Sequence, residues 1–227
     1  MAKKNEMPES ISIVCACMNR SKPLKACIGS WLLHERINEI IIVDWSSTPK
    51  LKLDNKDPRI RIERVDGEQY FNLGKAYNYG IKFAKSSKII KMDADYFINP
   101  YYDFIGELSL PKSTFYTGNS KLHEYDGKMG FLGYTNGWLY IEKDDFLKVG
   151  GYREDLEGYG WDDSDLYNRL IESGLTRGLI NLNMRPLIFH VPHDNAPRVE
   201  NYENKNIKET QNANRNLCFK DYKSIEP

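Results

Sequence analysis

From Ile11 to Asp95 short apolar runs alternate with amphipathic stretches, and that alternation points the chain to a parallel sheet joined by crossover helices, an α/β fold class. ISIVCACMNR (Ile11 to Arg20) predicts a buried first strand, after which Ser21 is expected to cap a helix with Leu24, Ile28, Trp31 and Leu32 on one face. EIIIVDWSS (Glu39 to Ser47) predicts a second buried strand that ends in an acid and hydroxyls. RIRIERVD (Arg59 to Asp66) alternates like an outer strand, and NLGKAYNYGIKFAK (Asn72 to Lys85) returns as a helix with Ala76, Ile81 and Phe83 among its apolar positions. KIIKMDADYFINP (Lys88 to Pro100) is the next predicted strand and delivers Asp93 and Asp95 at its carboxyl end. Ligands of open α/β sheets bind outside such strand ends, so Asn19, Arg20, Asp44 and the Asp93/Asp95 pair should converge on one crevice.

The second half is more irregular. TFYTG around Phe115 and GWLYI around Leu139 look like strands, and the region reads as a substrate lid on the same domain. A chain of 227 residues with 41% apolar content supplies one sizeable core, so a single domain is expected. Within it, residues 10–100 read as the nucleotide-binding half, 101–197 as the metal, acceptor and catalytic half, and 198–227 as a polar, partly mobile tail. Thirty-two basic residues balance 32 acidic ones, which leaves no field to attract nucleic acid, so any anion must be bound by a local site. Cys15, Cys17, Cys27 and Cys218 lack paired spacing and read as reduced, mostly buried thiols. With no signal-peptide pattern and no transmembrane run, a cytoplasmic enzyme is the expectation.

Asp93-Ala94-Asp95 after an apolar strand could hold a divalent ion and a ribose together, although short acidic pairs at strand ends are mostly solvated turns. RPLIFHVPHDNAP (Arg185 to Pro197) adds His190 at the end of another apolar run and His193 three residues later, and imidazole with carboxylate suits manganese or a similar borderline ion. GGYREDLEGYGWDDSDL (Gly150 to Leu166) combines tight glycine turns, Tyr159 and Trp161 as flat surfaces for a pyranose, and acids that open a helix. A carboxylate at a helix N-terminus is held ionised, which suits a general base; capping alone could account for Asp162 and Asp165 but not for the aromatic and glycine cluster before them.

With these motifs assembled, the chain resembles GT-A glycosyltransferases, in particular the beta-1,4-galactosyltransferases and bacterial chondroitin-polymerase-type enzymes. The family's N-R after the first strand is met by Asn19 and Arg20, and its F-N-x-x-K-x-x-N-x-G by Phe71, Asn72, Lys75, Asn78 and Gly80. Its D-x-D is similar to Asp93 and Asp95, and its G-x-G-x-E-D-x-D segment falls on Gly158 to Asp165, with the catalytic base at Asp163. The resemblance implies a GT-A, Rossmann-like single domain and an inverting transfer of a sugar from a UDP-sugar to an acceptor hydroxyl of a glycan or glycoconjugate. Mn2+ or Mg2+ is the implied cofactor, held by Asp95 and His190 ahead of Asp93 and His193. Nucleotide-sugar contacts are expected from Ala16, Asn19, Arg20, Asp44, Ser46, Phe71, Lys75, Asn78, Asp93 and Ala94, with Asp44 against the uracil edge. Sugar or acceptor contacts are expected from Trp138, Tyr159, Trp161 and Asp162.

The chain departs from the animal galactosyltransferases at Tyr159, where they have tryptophan, at Trp161 in place of a glycine, and at Leu187 in place of a methionine ligand. The lack of a Golgi anchor points towards a bacterial or viral setting. Two rival readings stand beside this one: a sugar-1-phosphate nucleotidyltransferase, which needs a glycine-rich loop that ACMNRSKP does not provide, and a sugar-nucleotide- or glycan-binding module without turnover. Residues Val191 to Glu203 are read as a lid over the donor.

Overall fold

The apolar run that opens the chain becomes strand Ile11–Cys17 (β1), followed by helix Ser21–Trp31 (α1), strand Ile37–Trp45 (β2), strand Ile60–Val65 (β3), helix Leu73–Lys82 (α2) and strand Lys88–Lys91 (β4). The structure, a computed structural model, describes residues 10–100, 109–118, 135–180, 188–191 and 199–219. Further along lie strands Tyr96–Ile98 (β5), Thr114–Thr117 (β6) and Leu139–Glu142 (β7), helices Lys143–Lys148 (α3) and Asp162–Glu172 (α4), strands Thr176–Leu179 (β8) and Ile188–His190 (β9), and helix Ile207–Cys218 (α5). The main sheet has seven strands in the order β3-β2-β1-β4-β7-β6-β8. Its first four strands are parallel, and β7 enters antiparallel to both β4 and β6. β5 and β9 form a separate antiparallel pair.

Alternation along β1 builds the layers. Ile11, Ile13, Cys15 and Cys17 pack with Leu24, Ile28 and Trp31 of α1 on one face, while Val14 and Ala16 pack with Ala76, Tyr77 and Ile81 of α2 and with Leu166 and Leu170 of α4 on the other. Gly80 lets α2 approach closely: a Cβ there would lie 2.6 Å from Val43 and 2.7 Å from Val14. The order 3-2-1-4 reverses between β1 and β4, and a crevice opens at their carboxyl ends as expected for such a switch point.

Several sequence expectations are corrected. Ser21 is the first helical residue and Arg20 takes the cap position, without a side-chain cap bond. Phe83 is the exposed C-cap of α2, outside its buried face. The run from Lys88 to Pro100 breaks into two strands of different sheets around Asp93-Ala94-Asp95. The strands at Phe115 and Leu139 belong to the central sheet, which removes them from any lid. The polar tail contains a docked helix, α5, with Thr210 and Asn214 buried. Of the expected lid, residues 192–198 lie outside the described residues, and Asn201 and Tyr202 are buried. All four cysteines are free, and three are buried. No helix among the described residues is long and apolar enough to cross a membrane.

Candidate active site

A cavity of about 730 Å³ sits at the carboxyl ends of β1 and β4. Ala16, Arg20 and Phe71 line it, together with Asp93-Ala94-Asp95, the Tyr159 to Ser164 segment, and His190. Some of the residues expected on the nucleotide, metal and acceptor sides thus line one space.

β5 and β9 create the first half. Their register sets His190 opposite Tyr96, and Val191 N–H donates to the Asp95 carbonyl, so the histidine is laid beside Asp95. α1 fixes β5 from behind, with the Trp31 ring N–H donating to the Tyr96 carbonyl at 2.7 Å. His190 Nε2 lies 3.3 Å from Asp95 Oδ2, and the Arg20 guanidinium lies 2.5 Å from the same oxygen. A buried carboxylate oxygen beside an imidazole nitrogen is a donor set that fits a borderline divalent ion. Among the described residues no three His, Cys, Asp or Glu gather to hold a metal, and Asp95 with His190 is the pair that comes together at the cavity. His193 lies outside the described residues.

The second half centres on a lysine that sequence reasoning missed. Lys91 is wholly buried at the end of β4, 2.8 Å from Asp93 Oδ1 and 3.5 Å from Asp163 Oδ1. Its ammonium also sits 4.8 Å from the centre of the Tyr77 ring. Burial alone would push its pKa down, but Asp163 and then Asp93 outweigh that and hold it above the ordinary lysine value. Tyr77 donates to Asp93 Oδ1 at 2.9 Å, and Tyr152 donates to Asp163 Oδ1 at 2.9 Å. Burial raises the Asp163 carboxyl above its usual range, Lys91 opposes it, Asp93 adds to it, and the Tyr152 hydrogen bond opposes it again. Gly137 leaves room for the pair: a Cβ there would stand 2.7 Å from Asp93 Oδ2 and 3.0 Å from Lys91 Nζ and would make them shift. The signal for Lys91 was available: it follows Ile89 by two, so strand alternation aims it at the face that α2 and α4 cover.

Asp162 and Asp163 open α4, and Trp161 before them adopts a left-handed conformation (φ 73), costly for a bulky residue and concentrated at functional sites. Phe219 packs edge-on against the Trp161 ring at 5.2 Å, and the Arg215 guanidinium stands 5.8 Å over it. α5 therefore supports this wall and adds Gln211, Asn212 and Arg215 to the cavity, contributions that the sequence reading of a loose tail did not include.

Other expected contacts are placed elsewhere. Asp44 is buried, and its oxygens accept from Ser47 N–H, Leu51 N–H and, at 2.7 Å, Arg64, so it closes its own loop and is not among the cavity walls. Ser46 is occupied with Val65 and Glu68. Asn78 is buried against Tyr152 and Glu154, and Trp138 is fully buried in the core. Lys75 is exposed and borders a smaller surface groove with Glu68 and Glu157. Asn19 flanks the cavity as a knot, accepting from Thr48 N–H and donating to Asn201, whose own side chain donates to the Met18 carbonyl.

Residues 12–145 match the sequence profile of glycosyl transferase family 2. The chain belongs to that family. A second profile, described as the N-terminal domain of galactosyltransferase, matches residues 115–203 of this family 2 chain. Beta-1,4-galactosyltransferase 1 of Bos taurus is 26% identical over 173 residues, which is 74% of this chain and 38% of the relative. The chain thus spans well under half the length of that curated relative. Among solved structures, the catalytic domain of Drosophila beta1,4-galactosyltransferase 7 in complex with xylobiose superposes with a TM-score of 0.62 at 17% identity, over 88% of this chain and 78% of that one. GalNAc-T7 with UDP, GalNAc and Mn2+ gives 0.61 at 14% identity, over 83% and 45%. These likenesses are of fold, and they match the GT-A, mostly parallel α/β architecture expected for this family 2 chain.

Proposed function

We propose that the chain is a metal-dependent, inverting glycosyltransferase that moves a sugar from a UDP-sugar to an acceptor hydroxyl of a glycan or glycoconjugate. The observation that carries this reading is the placement around one cavity of the Asp95–His190 pair and of Asp163, a partly buried carboxylate at the start of a helix. Asp163 accepts the proton of the acceptor hydroxyl as its oxygen attacks the anomeric carbon. The new C–O bond forms opposite the bond to the diphosphate, which breaks with its electron pair on the departing phosphate oxygen. A bound divalent cation supplies neutralisation of the charge that develops there. Asp95 and His190 are the residues to hold it, and Arg20 adds a fixed cation beside them. Asp93, Ala94, Ala16, Phe71, Tyr159, Trp161 and Asp162 all line the cavity, and the first four are assigned to the nucleotide and the last three to the sugars.

GalNAc-T7, the fold neighbour solved with UDP, GalNAc and Mn2+, supports manganese and a UDP-sugar here too. Four free cysteines favour a reducing, cytoplasmic setting. Calorimetry tests the donor half: UDP should bind more tightly with manganese than without it. Asp95→Ala should abolish that difference while His193→Ala leaves it, and equal UDP affinity in the presence and absence of manganese would overturn the metal assignment.

A further inference from the structure

We propose that Lys91 and Tyr152 are positioning residues for Asp163: together they fix one carboxylate oxygen, so that the other is the one offered to the acceptor hydroxyl. This rests on reading Asp163 as the base. Both contacts fall on the same atom, with Tyr152 Oη 2.9 Å and Lys91 Nζ 3.5 Å from Oδ1. No hydrogen bond among the described residues reaches Oδ2, although the side chain is only 18% exposed. Two contacts on one oxygen restrict rotation of the carboxylate, and proton transfer depends on such placement.

The cost of this arrangement argues that it serves more than packing. A lysine with no exposed side chain in the middle of a sheet carries a heavy desolvation penalty, which an apolar residue at the end of KIIK would avoid. Lys91 offsets the penalty by lying between two carboxylates that line the cavity, Asp93 and Asp163. Tyr152 is held by ring contacts with Tyr77 at 5.9 Å and Phe146 at 5.7 Å, and its backbone is tied at both ends to Asn78. Its hydroxyl is therefore delivered to Asp163 by a rigid frame.

Tyr152→Phe and Lys91→Met test this, each alone and in the Asp163→Asn background, with UDP release from UDP-galactose in the presence of manganese as the rate. Tyr152→Phe removes one hydroxyl and leaves the ring packing, so it carries the test if Lys91→Met does not fold. It should lower kcat about tenfold with donor KM unchanged, and should cost nothing further once Asp163 is Asn. Lys91→Met should lower kcat more and also weaken donor binding through Asp93. A second readout needs neither metal nor donor: the Asp163 carboxyl, followed by 13C NMR in the free protein, should titrate at higher pH in both variants. The groups facing it are Lys91, Asp93, Tyr152 and the buried ring hydroxyls of Tyr96 and Tyr167, and only the substituted partner changes in each variant. Normal kcat and an unmoved titration in Tyr152→Phe, with Asp163→Asn inactive, would overturn the positioning role and leave the base in place. A shifted titration with Asp163→Asn fully active would instead overturn the base.

Discussion

Asp44 shows how a residue with a well-motivated ligand role can be committed elsewhere. Its carboxylate is buried and receives two backbone N–H groups and Arg64, so Asp44→Asn should cost roughly 2–4 kcal/mol of stability, the range for breaking a buried charged hydrogen-bond pair. Urea unfolding measures that cost, and UDP affinity should stay close to that of the unaltered protein; a normal unfolding midpoint with weakened UDP binding would restore the nucleotide role. With Asp163 as the proposed base, its titration sets the expected pH dependence. Burial and Asp93 raise its pKa against Lys91 and Tyr152, and a base works only when deprotonated. Turnover should therefore fall as pH drops through a value above the ordinary aspartate pKa of 3.8. The same shift means that the protonated carboxyl favours the folded state at acid pH, a contribution lost as pH rises through the raised value. A kcat profile flat down to the ordinary aspartate range would show that another group limits the reaction.

At the scale of elements, legibility followed the apolar pattern. The first four sheet strands and α2 were readable because their faces alternate or repeat cleanly, and the helix Asp162–Glu172 because Leu166 and Leu170 are four apart with acids before them. α5 was not, since what it buries is polar: Thr210 and Asn214 dock by hydrogen bonds, which leave no hydrophobic period to detect. Asn214 donates to the carbonyls of Glu157 and Gly160, and Thr210 exchanges bonds with Tyr159. Asn214→Ala leaves those carbonyls without this donor and should cost about 1–3 kcal/mol. Hydrogen exchange should then quicken at Tyr159 to Trp161; unchanged exchange there would mean that α5 does not brace the loop. The split between β4 and β5 was equally hidden, because KIIKMDADYFI is apolar on both sides of the turn.

Across the whole molecule, the sheet order brings four distant segments to one crevice, and the converging set was partly visible in the sequence. Arg20, Asp93, Asp95 and His190 stand out in the sequence because each ends an apolar run, and Asp163 was separated from its neighbouring acids only by the family resemblance, whereas Lys91 sits inside a buried strand where charge is normally absent and Tyr152 in an irregular glycine-flanked turn with no pattern to mark it. Binding and chemistry are assigned to different residues, so they can be separated. The most direct measurement is the turnover of Asp163→Asn, as sugar transfer or as UDP release from UDP-galactose, beside calorimetric binding of UDP with manganese to the same variant. Turnover should fall by about 100-fold or more, a general-base contribution, while binding stays close to that of the unaltered protein. Normal turnover by Asp163→Asn, with Asp162→Asn inactive, would contradict the assignment and move the base to the preceding acid.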